Sequence, residues 1–296
     1  MKIQYLLFAL ILASPSAFSA KFPSQVKKSV TFIFARDSNN RLMPLGTGFF
    51  VLLKTNQKSD TANFGYLVTS KTILKRDGGS FFDTVYIRIN RKDGYSDTLI
   101  IPLTQNSIQR YFLHSDSTVD LAVIPAYPDL NRYDFLFLPF GMIAPMDFFK
   151  KENIAEGDEV FHTGMLSSHI GIFKNFPVVG FGRIAQISDE KHAREKNYTE
   201  MYLVETAVTK GSIGSPLYYY SPAAKDTGNN IIPAKFYLAG IISENYGELR
   251  TDKSKNETSG LAGVVPAYKL SELLNASAVS QEREKEFTRM QNLKSK

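Results

Sequence analysis

Short runs rich in valine, isoleucine, phenylalanine and tyrosine recur along most of the chain and are separated by polar turns. The first group of runs reads SVTFIFA, GTGFFVLL, FGYLVTS, TVYIRIN, TLIIPL and LAVIPA, and the second reads EVFHTGM, FPVVGFGRIAQI, MYLVETA, SPLYYY, KFYLAGIIS and LAGVVPA. Runs of this length and composition are typical of β-strands. Many such strands at regular spacing predict a sandwich or barrels, so we expect an all-β protein with two groups of about six strands.

The remaining segments divide the chain. LPFGMIAPMDFFKKENIAEGDE carries proline and glycine and is less periodic, which predicts a connection between the groups. PAYKLSELLNA has apolar residues at helical spacing and predicts a short helix, whereas SQEREKEFTRMQNLKSK predicts a frayed or solvated helix. The expected units are a first group at 21–140, a connection at 141–156, a second group with its helix at 157–275 and a charged tail at 276–296.

The amino-terminal stretch MKIQYLLFALILASPSAFSA stands apart from the rest. It has Lys2, then an apolar run, then small residues, and this order predicts a secretory signal peptide at 1–20. The alternative is a membrane anchor, but the apolar run is short for a span and ends in Ser-Pro-Ser. We therefore expect an exported protein, periplasmic or secreted, without a stable membrane span after signal cleavage.

Composition excludes several kinds of chemistry. The absence of cysteine from all 296 residues excludes disulfides, thiol catalysis and thiolate metal ligands. No two histidines stand at ligand spacing with a carboxylate, and no glycine-rich phosphate loop opens a helix, so we expect neither a metal nor a cofactor. The net charge of +6 is scattered along the chain, so no nucleic-acid partner is expected.

An ordered set of motifs resembles bacterial trypsin-like serine peptidases over residues 29 to 275. The motifs are LGTGFFVLL, YLVTSKTIL, STVDLAVIPA, TKGSIGSPLY, YLAGIIS and VVPAYKLSELL. Each motif is weak alone, but the set in this order is fairly specific. The resemblance implies two six-stranded antiparallel β-barrels followed by a short C-terminal helix.

The resemblance also implies where a catalytic triad would stand. The family's histidine falls on Thr72, its aspartate on Asp120 and its serine nucleophile on Ile213. The chemistry requires a base that takes the serine proton and a carboxylate that orients this base. Threonine is no general base at neutral pH, and isoleucine has no nucleophilic atom. The resemblance therefore implies a degenerate triad in which only Asp120 is retained.

Two serines flank the lost nucleophile, Ser212 and Ser215. The family loop turns sharply, so side chains one or two positions away point elsewhere. A displaced serine would also need a new base within reach. We expect a packing and turn role for Ser215, and we interpret His114, six residues before Asp120, as a structural histidine.

The resemblance also implies five candidate binding residues, which are Gly211, Ile213, Ser243, Glu244 and Asn245. The backbone amides of Gly211 and Ile213 are expected to form a small cradle for an anion or carbonyl. Ser243 matches the serine that donates a hydrogen bond to the family's aspartate. Glu244 and Asn245 would border a peptide that adds to the groove as a strand.

Three functions follow as hypotheses. The leading one is an exported serine protease homologue, a pseudoprotease that binds a peptide or protein in the cleft between its barrels. The second is an active serine endopeptidase with a displaced or atypical triad. The third is an unrelated β-barrel that binds a ligand. A filled, unused cleft is the plain alternative to peptide binding.

Overall fold

The computed structural model describes residues 24–57, 60–188, 190–194, 197–221, 223–225, 231–232, 234–246 and 260–294. The predicted signal peptide at 1–20 lies outside the described residues. Among those described, no helix is both long and apolar enough to cross a membrane. Four short 3₁₀ helices lie in this part of the chain, at Ser24–Ser29, Thr72–Leu74, Phe140–Met142 and Lys210–Ser212.

The first half of the chain forms a large sheet. Its strands are β1 Val30–Arg36, β2 Leu42–Gln57, β3 Asp60–Thr69, β4 Thr84–Asn90, β5 Ser96–Pro102, β6 Thr104–Gln105, β7 Ile108–Gln109, β8 Phe112–Leu113, β9 Ala122–Pro125 and β10 Leu138–Pro139. The sheet runs in the order β5-β4-β1-β2-β3-β9-β8, with β10 paired to β2, and β6 and β7 form a separate pair. The six longer strands of the sheet coincide with the six predicted runs. Two-residue strands raise the number in the sheet to eight.

The second half closes on itself. Its strands are β11 Glu159–Gly164, β12 Val178–Gln186, β13 His192–Arg194, β14 Asn197–Thr199, β15 Tyr202–Glu205, β16 Pro216–Ser221, β17 Ala224–Lys225, β18 Ile231–Ile232, β19 Lys235–Tyr246 and β20 Leu261–Pro266. Six of them form a closed barrel in the order β11-β12-β15-β20-β19-β16. All six barrel strands are predicted runs. The predicted all-β fold is confirmed, with a closed six-stranded barrel and a second large sheet.

The two halves share one apolar core. Successive side chains of β2 point to opposite faces of the sheet. Phe50 enters a core that belongs to the first half, whereas Phe49 and Val51 enter a core that also contains Tyr218 and Ile242 of the barrel. The run GTGFFVLL is therefore apolar at consecutive positions because both faces of its strand are covered.

The helices lie in the connection and at the C-terminal end. Helix α1, Phe148–Lys151, lies in the predicted connecting segment, and the ring of Phe148 contacts Tyr219 and Tyr237 of the barrel. Helix α2, Tyr268–Asn275, is the predicted short helix and buries Leu270, Leu273 and Leu274.

The charged tail forms helix α3, Ser277–Lys294. It is not solvated on all sides, because Val279, Arg283 and Phe287 are buried. These residues are spaced four apart and so lie on one helix face, with an arginine between the two apolar side chains. That arginine interrupts the apolar pattern, which made the packed face hard to recognise in the sequence.

One histidine lies inside the barrel. His162 on β11 is 2% exposed and stands opposite Gly180 of the neighbouring antiparallel strand β12. Glycine is required there, because a Cβ atom on Gly180 would lie 2.1 Å from Nε2 of His162. Neither ring nitrogen forms a hydrogen bond of standard geometry with a described residue. Burial lowers the pKa of His162 to about 4, since a charged imidazolium in this interior would lose its hydration, and this effect outweighs the opposing contact with the backbone of Ala207.

The low pKa of His162 predicts acid sensitivity. Its ordinary pKa is 6.5, so between that value and about 4 the unfolded chain binds the extra proton. The free energy of unfolding should therefore fall by about 1.4 kcal/mol for each pH unit in this window, and should be free of this loss above it. Urea unfolding of wild type and His162→Gln at pH 7 and pH 5 measures the effect.

The variant should show a smaller loss between the two pH values than the wild type, whatever its absolute stability. The exposed His169 provides a matched control, and His169→Gln should keep the wild-type dependence. Equal pH dependence in the wild type and His162→Gln would contradict the assignment.

Candidate functional site

Asp120 lies just before β9, is 5% exposed, and accepts four hydrogen bonds. Its Oδ1 accepts from the backbone N of Thr72 at 2.8 Å and from Oγ1 of Thr72 at 2.9 Å. Its Oδ2 accepts from Oγ of Ser70 at 2.5 Å and from Oγ of Ser243 at 2.9 Å. A carboxylate offers about four lone-pair positions, so the acceptor capacity of Asp120 is used in full.

The donors come from two elements that the fold holds in place. Thr72 opens the 3₁₀ turn that follows β3, and its backbone N also donates to Oγ of Ser70 at 3.1 Å. Lys71 ties this turn to the loop before Asp120, since its Nζ donates to the carbonyl oxygens of Ser117 and Val119 at 2.7 and 3.2 Å.

Ser243 reaches Asp120 because of a β-bulge. The register between β19 and β20 shifts between Ile242 and Glu244, so Ser243 is the extra residue. A bulge turns a side chain away from its regular direction along the strand. The hydroxyl of Ser243 therefore joins the barrel to the aspartate of the first half, as the sequence resemblance implied.

The loop that carries Ile213 is a short 3₁₀ helix, Lys210–Ser212, with Thr209 as its N-cap. Ser212 is bound within this loop: its Oγ accepts from the backbone N of Thr209 at 3.3 Å and lies 3.2 Å from Oγ1 of Thr209. Ser212 is also 4% exposed. Its hydroxyl is therefore a capping group and does not face an open cleft.

Ile213 is held against the first half of the chain. Its carbonyl oxygen accepts from the backbone N of Thr47 at 2.9 Å, and Oγ1 of Thr47 donates to the carbonyl oxygen of Gly211 at 2.7 Å. The half-buried Ile213 side chain packs against the shared core and against the core of the first half. Ile213 is thus a packing residue at the junction of the two halves.

The expected amide cradle is closed at Ile213. Its backbone N points to the carbonyl oxygen of Lys210, at 3.4 Å, as part of the 3₁₀ turn. An oxyanion cradle requires two free amides directed at one point. The geometry therefore differs from the expectation for Gly211 and Ile213, because the loop satisfies one of the two amides internally.

Gly214 is the position where the loop most requires glycine. Its φ is +84°, and a Cβ atom would lie 2.1 Å from the carbonyl oxygen of Thr47 and 2.5 Å from Oγ1 of Thr69. Its backbone N donates to the carbonyl oxygen of Ile242 at 2.8 Å. The loop after Ile213 therefore sits directly on the turn that leads to Ser70 and Thr72.

Ser215 is fully buried, and its Oγ has no hydrogen-bond partner among the described residues. It faces Gly164, where a Cβ atom would lie 2.0 Å from the serine oxygen. His114 is engaged elsewhere, with Nε2 2.9 Å from Oε2 of Glu272 and Nδ1 accepting from the backbone N of Asp116. In the part of the chain that the structure describes, no imidazole hydrogen-bonds to Ser212 or Ser215.

The expected groove edge is the end of β19. The pairing of β19 with β16 ends at Ile241, whereas Glu244 and Asn245 continue to pair with Gly263 and Ala262 of β20. Asn245 is exposed and Glu244 is half-buried. This end of β19 therefore extends beyond β16 on one side, next to Ser243 and the Ile213 loop.

Ser70 and Thr47 were missed by the sequence reasoning. Ser70 carries a detectable signal, because it stands where the family's Leu-Val-Thr-Ala-x-His-Val-Leu pattern has alanine. The hydroxyl at that position donates to Oδ2 of Asp120. Thr47 carries no such signal, since its contacts depend on the folded Ile213 loop.

Comparisons with known proteins leave the family open. No family model matches the sequence, and no curated protein matches it. A solved structure that resembles the chain is the MamO protease domain from Magnetospirillum magneticum in its apo form, at 15% identity and a TM-score of 0.48. The match covers 86% of this chain and 100% of that chain. A likeness of this size assigns neither a family nor an activity.

The hydrogen bonds at Asp120 predict a structural role for the carboxylate. Asp120→Ala should lower the free energy of unfolding by about 3 kcal/mol, because the buried hydroxyls of Ser70 and Ser243 and the hydroxyl and amide of Thr72 would lose a charged acceptor. Asp134→Ala serves as a control, since Asp134 is half exposed and pairs with the exposed Lys28. Asp134→Ala should lower the free energy of unfolding by less than about 1 kcal/mol. Urea unfolding at pH 7 measures both variants, and an equal loss of stability in the two would mean that Asp120 is solvated.

Proposed function

We propose that this protein is an exported, catalytically inactive homologue of trypsin-like serine peptidases that binds a peptide or protein between its two halves. The observation that carries the proposal is the set of hydrogen bonds around Asp120. In a working triad this carboxylate orients an imidazole. Here Ser70, Thr72 and Ser243 occupy both of its oxygens, so no position for a base remains.

The nucleophile side supports the same proposal. Ile213 offers packing surface and no reactive atom, and its backbone N–H donates to the carbonyl oxygen of Lys210. Ser212 is a capping group, and Ser215 is buried without a base. Hydrolysis by a serine needs nucleophile, base and oxyanion donors together. The described site offers none of the three in a usable arrangement.

Peptide binding rests on the end of β19. A strand that extends beyond its neighbour can pair with an added peptide through its backbone groups. Asn245 is exposed at this end, and the half-buried Ile213 offers apolar surface beside it. Export rests on the signal-like pattern at 1–20. The proposed partner is therefore an extended peptide segment with an apolar side chain opposite Ile213.

Inactivity has a direct test. In serine peptidases, loss of the serine or the histidine alone costs about 10⁶ in turnover. The purified chain should therefore show no labelling by a fluorophosphonate probe and no casein cleavage, with trypsin as the positive control. Labelled peptides that map to Ser212 or Ser215 would establish the displaced-triad enzyme in its place.

Peptide binding can be tested with a displayed random-peptide library selected on the full chain. Selected peptides should bind wild type and should bind Ile213→Arg at least about ten-fold more weakly, since a charge at this half-buried position opposes an apolar side chain of the peptide. The matched control is Ile100→Arg, because Ile100 is 67% exposed on β5, outside the cleft. A library that yields no binders, or binders indifferent to Ile213→Arg, would leave the cleft without a function.

A further inference from the structure

A cavity of about 550 Å³ lies between helix α3 and the first sheet. Its apolar lining includes Phe64, Tyr66, Tyr127 and Met290, and its charged lining includes Arg110 and Arg283. It lies beside residues 63–66 in the middle of β3 and beside Pro125 at the end of β9. The volume lies within the roughly 300–1,000 Å³ usual for small-molecule sites.

Arg283 is a buried cation without an anionic partner. It is 8% exposed, and its guanidinium donates to the carbonyl oxygen of Leu274 at 2.6 Å, to Oγ of Ser280 at 2.9 Å and to Oη of Tyr66 at 3.3 Å. All three acceptors are neutral. No described carboxylate forms an ion pair with Arg283, although buried charges are normally paired.

The two glutamates of the cavity are engaged by other arginines. Glu282 lies 3.9 Å from Arg110, and Glu286 lies 3.4 Å from Arg289. All four of these residues line the same cavity as Arg283. Three arginines therefore face two glutamates, which leaves one positive charge in excess, and the arginine without a partner is the buried one.

Donors remain for a ligand at this point. Among the described residues, Nε of Arg283 makes no hydrogen bond, and Nη2 makes one with Ser280. Tyr66 accepts from Arg283, so its own hydroxyl hydrogen is left to donate. A guanidinium and a phenol hydroxyl that line the same cavity and retain hydrogens to donate match a carboxylate, which accepts from both.

We infer that this cavity binds an organic carboxylate with an aromatic body, its carboxylate on Arg283 and Tyr66 and its ring between Tyr127 and Met290. The site is separate from the cleft at Ile213 and does not depend on the proposed function. Such a carboxylate can belong to a free small acid or to the carboxyl terminus of a peptide that ends in an aromatic residue. Both sources present the same group to Arg283.

Calorimetric titration of the full chain tests the inference with two pairs of probes. The first pair is 3-phenylpropionate and 3-phenylpropanamide, and the second is N-acetyl-alanyl-phenylalanine and its C-terminal amide. At least one acid should bind saturably and about ten-fold or more tightly than its own amide, because only the acid neutralises Arg283. Binding of the free acid alone identifies a small-molecule site, and binding of the peptide acid identifies a peptide terminus.

Variants locate the site. Arg283→Gln should weaken binding of the acid by about ten-fold or more, and Tyr66→Phe, which keeps the ring and removes only the hydroxyl, should weaken it several-fold. Arg183→Gln is the control, because Arg183 is an exposed arginine on the barrel. Tyr66→Phe keeps the test decisive if Arg283→Gln fails to fold. Acids that bind no better than amides, or that bind both cavity variants like wild type, would overturn the inference.

Discussion

The carboxylate of Asp120 is the buried charge on which the junction of the two halves depends. A buried carboxylate destabilises a fold unless donors surround it. Here the donors come from the turn after β3, through Ser70 and Thr72, and from the bulge of β19, through Ser243. One anion thus ties the first sheet to the barrel. The same bonds use both oxygens of the carboxylate, so Asp120 is fully engaged by groups of the protein itself.

Much of the fold could be predicted because strand composition and spacing are local properties. All twelve quoted runs became the long strands of the sheet and barrel. The hydrogen bonds at Asp120 were partly predictable. The bond from Ser243 followed from the resemblance to the family pattern, whereas the only sequence signal for the bond from Ser70 is a serine in place of alanine. The closed amide at Ile213 could not be predicted, because whether Lys210–Ser212 turns as a 3₁₀ helix depends on contacts with Thr47. The buried face of α3 was missed because Arg283 interrupts its apolar spacing.

The Ile213 loop is held in a conformation that packs its central side chain. Ile213 joins the shared core to the core of the first half. The loop around it is held by Thr47, by Ile242 and by its own cap at Thr209. Each of these contacts restrains the backbone in a conformation suited to packing. The surface that stays exposed beside this loop is the end of β19 at Asn245.

The shared core has a consequence for how the chain can be divided. Phe49, Val51 and Val68 of the first half lie in one cluster with Tyr218 and Ile242 of the barrel. A fragment that ended in the connection would place these side chains in water, as a broad apolar patch on a sheet. The halves resemble separate modules in topology, but they should unfold together in one transition. Either half expressed alone would be prone to self-association, because the other half is what covers its apolar face.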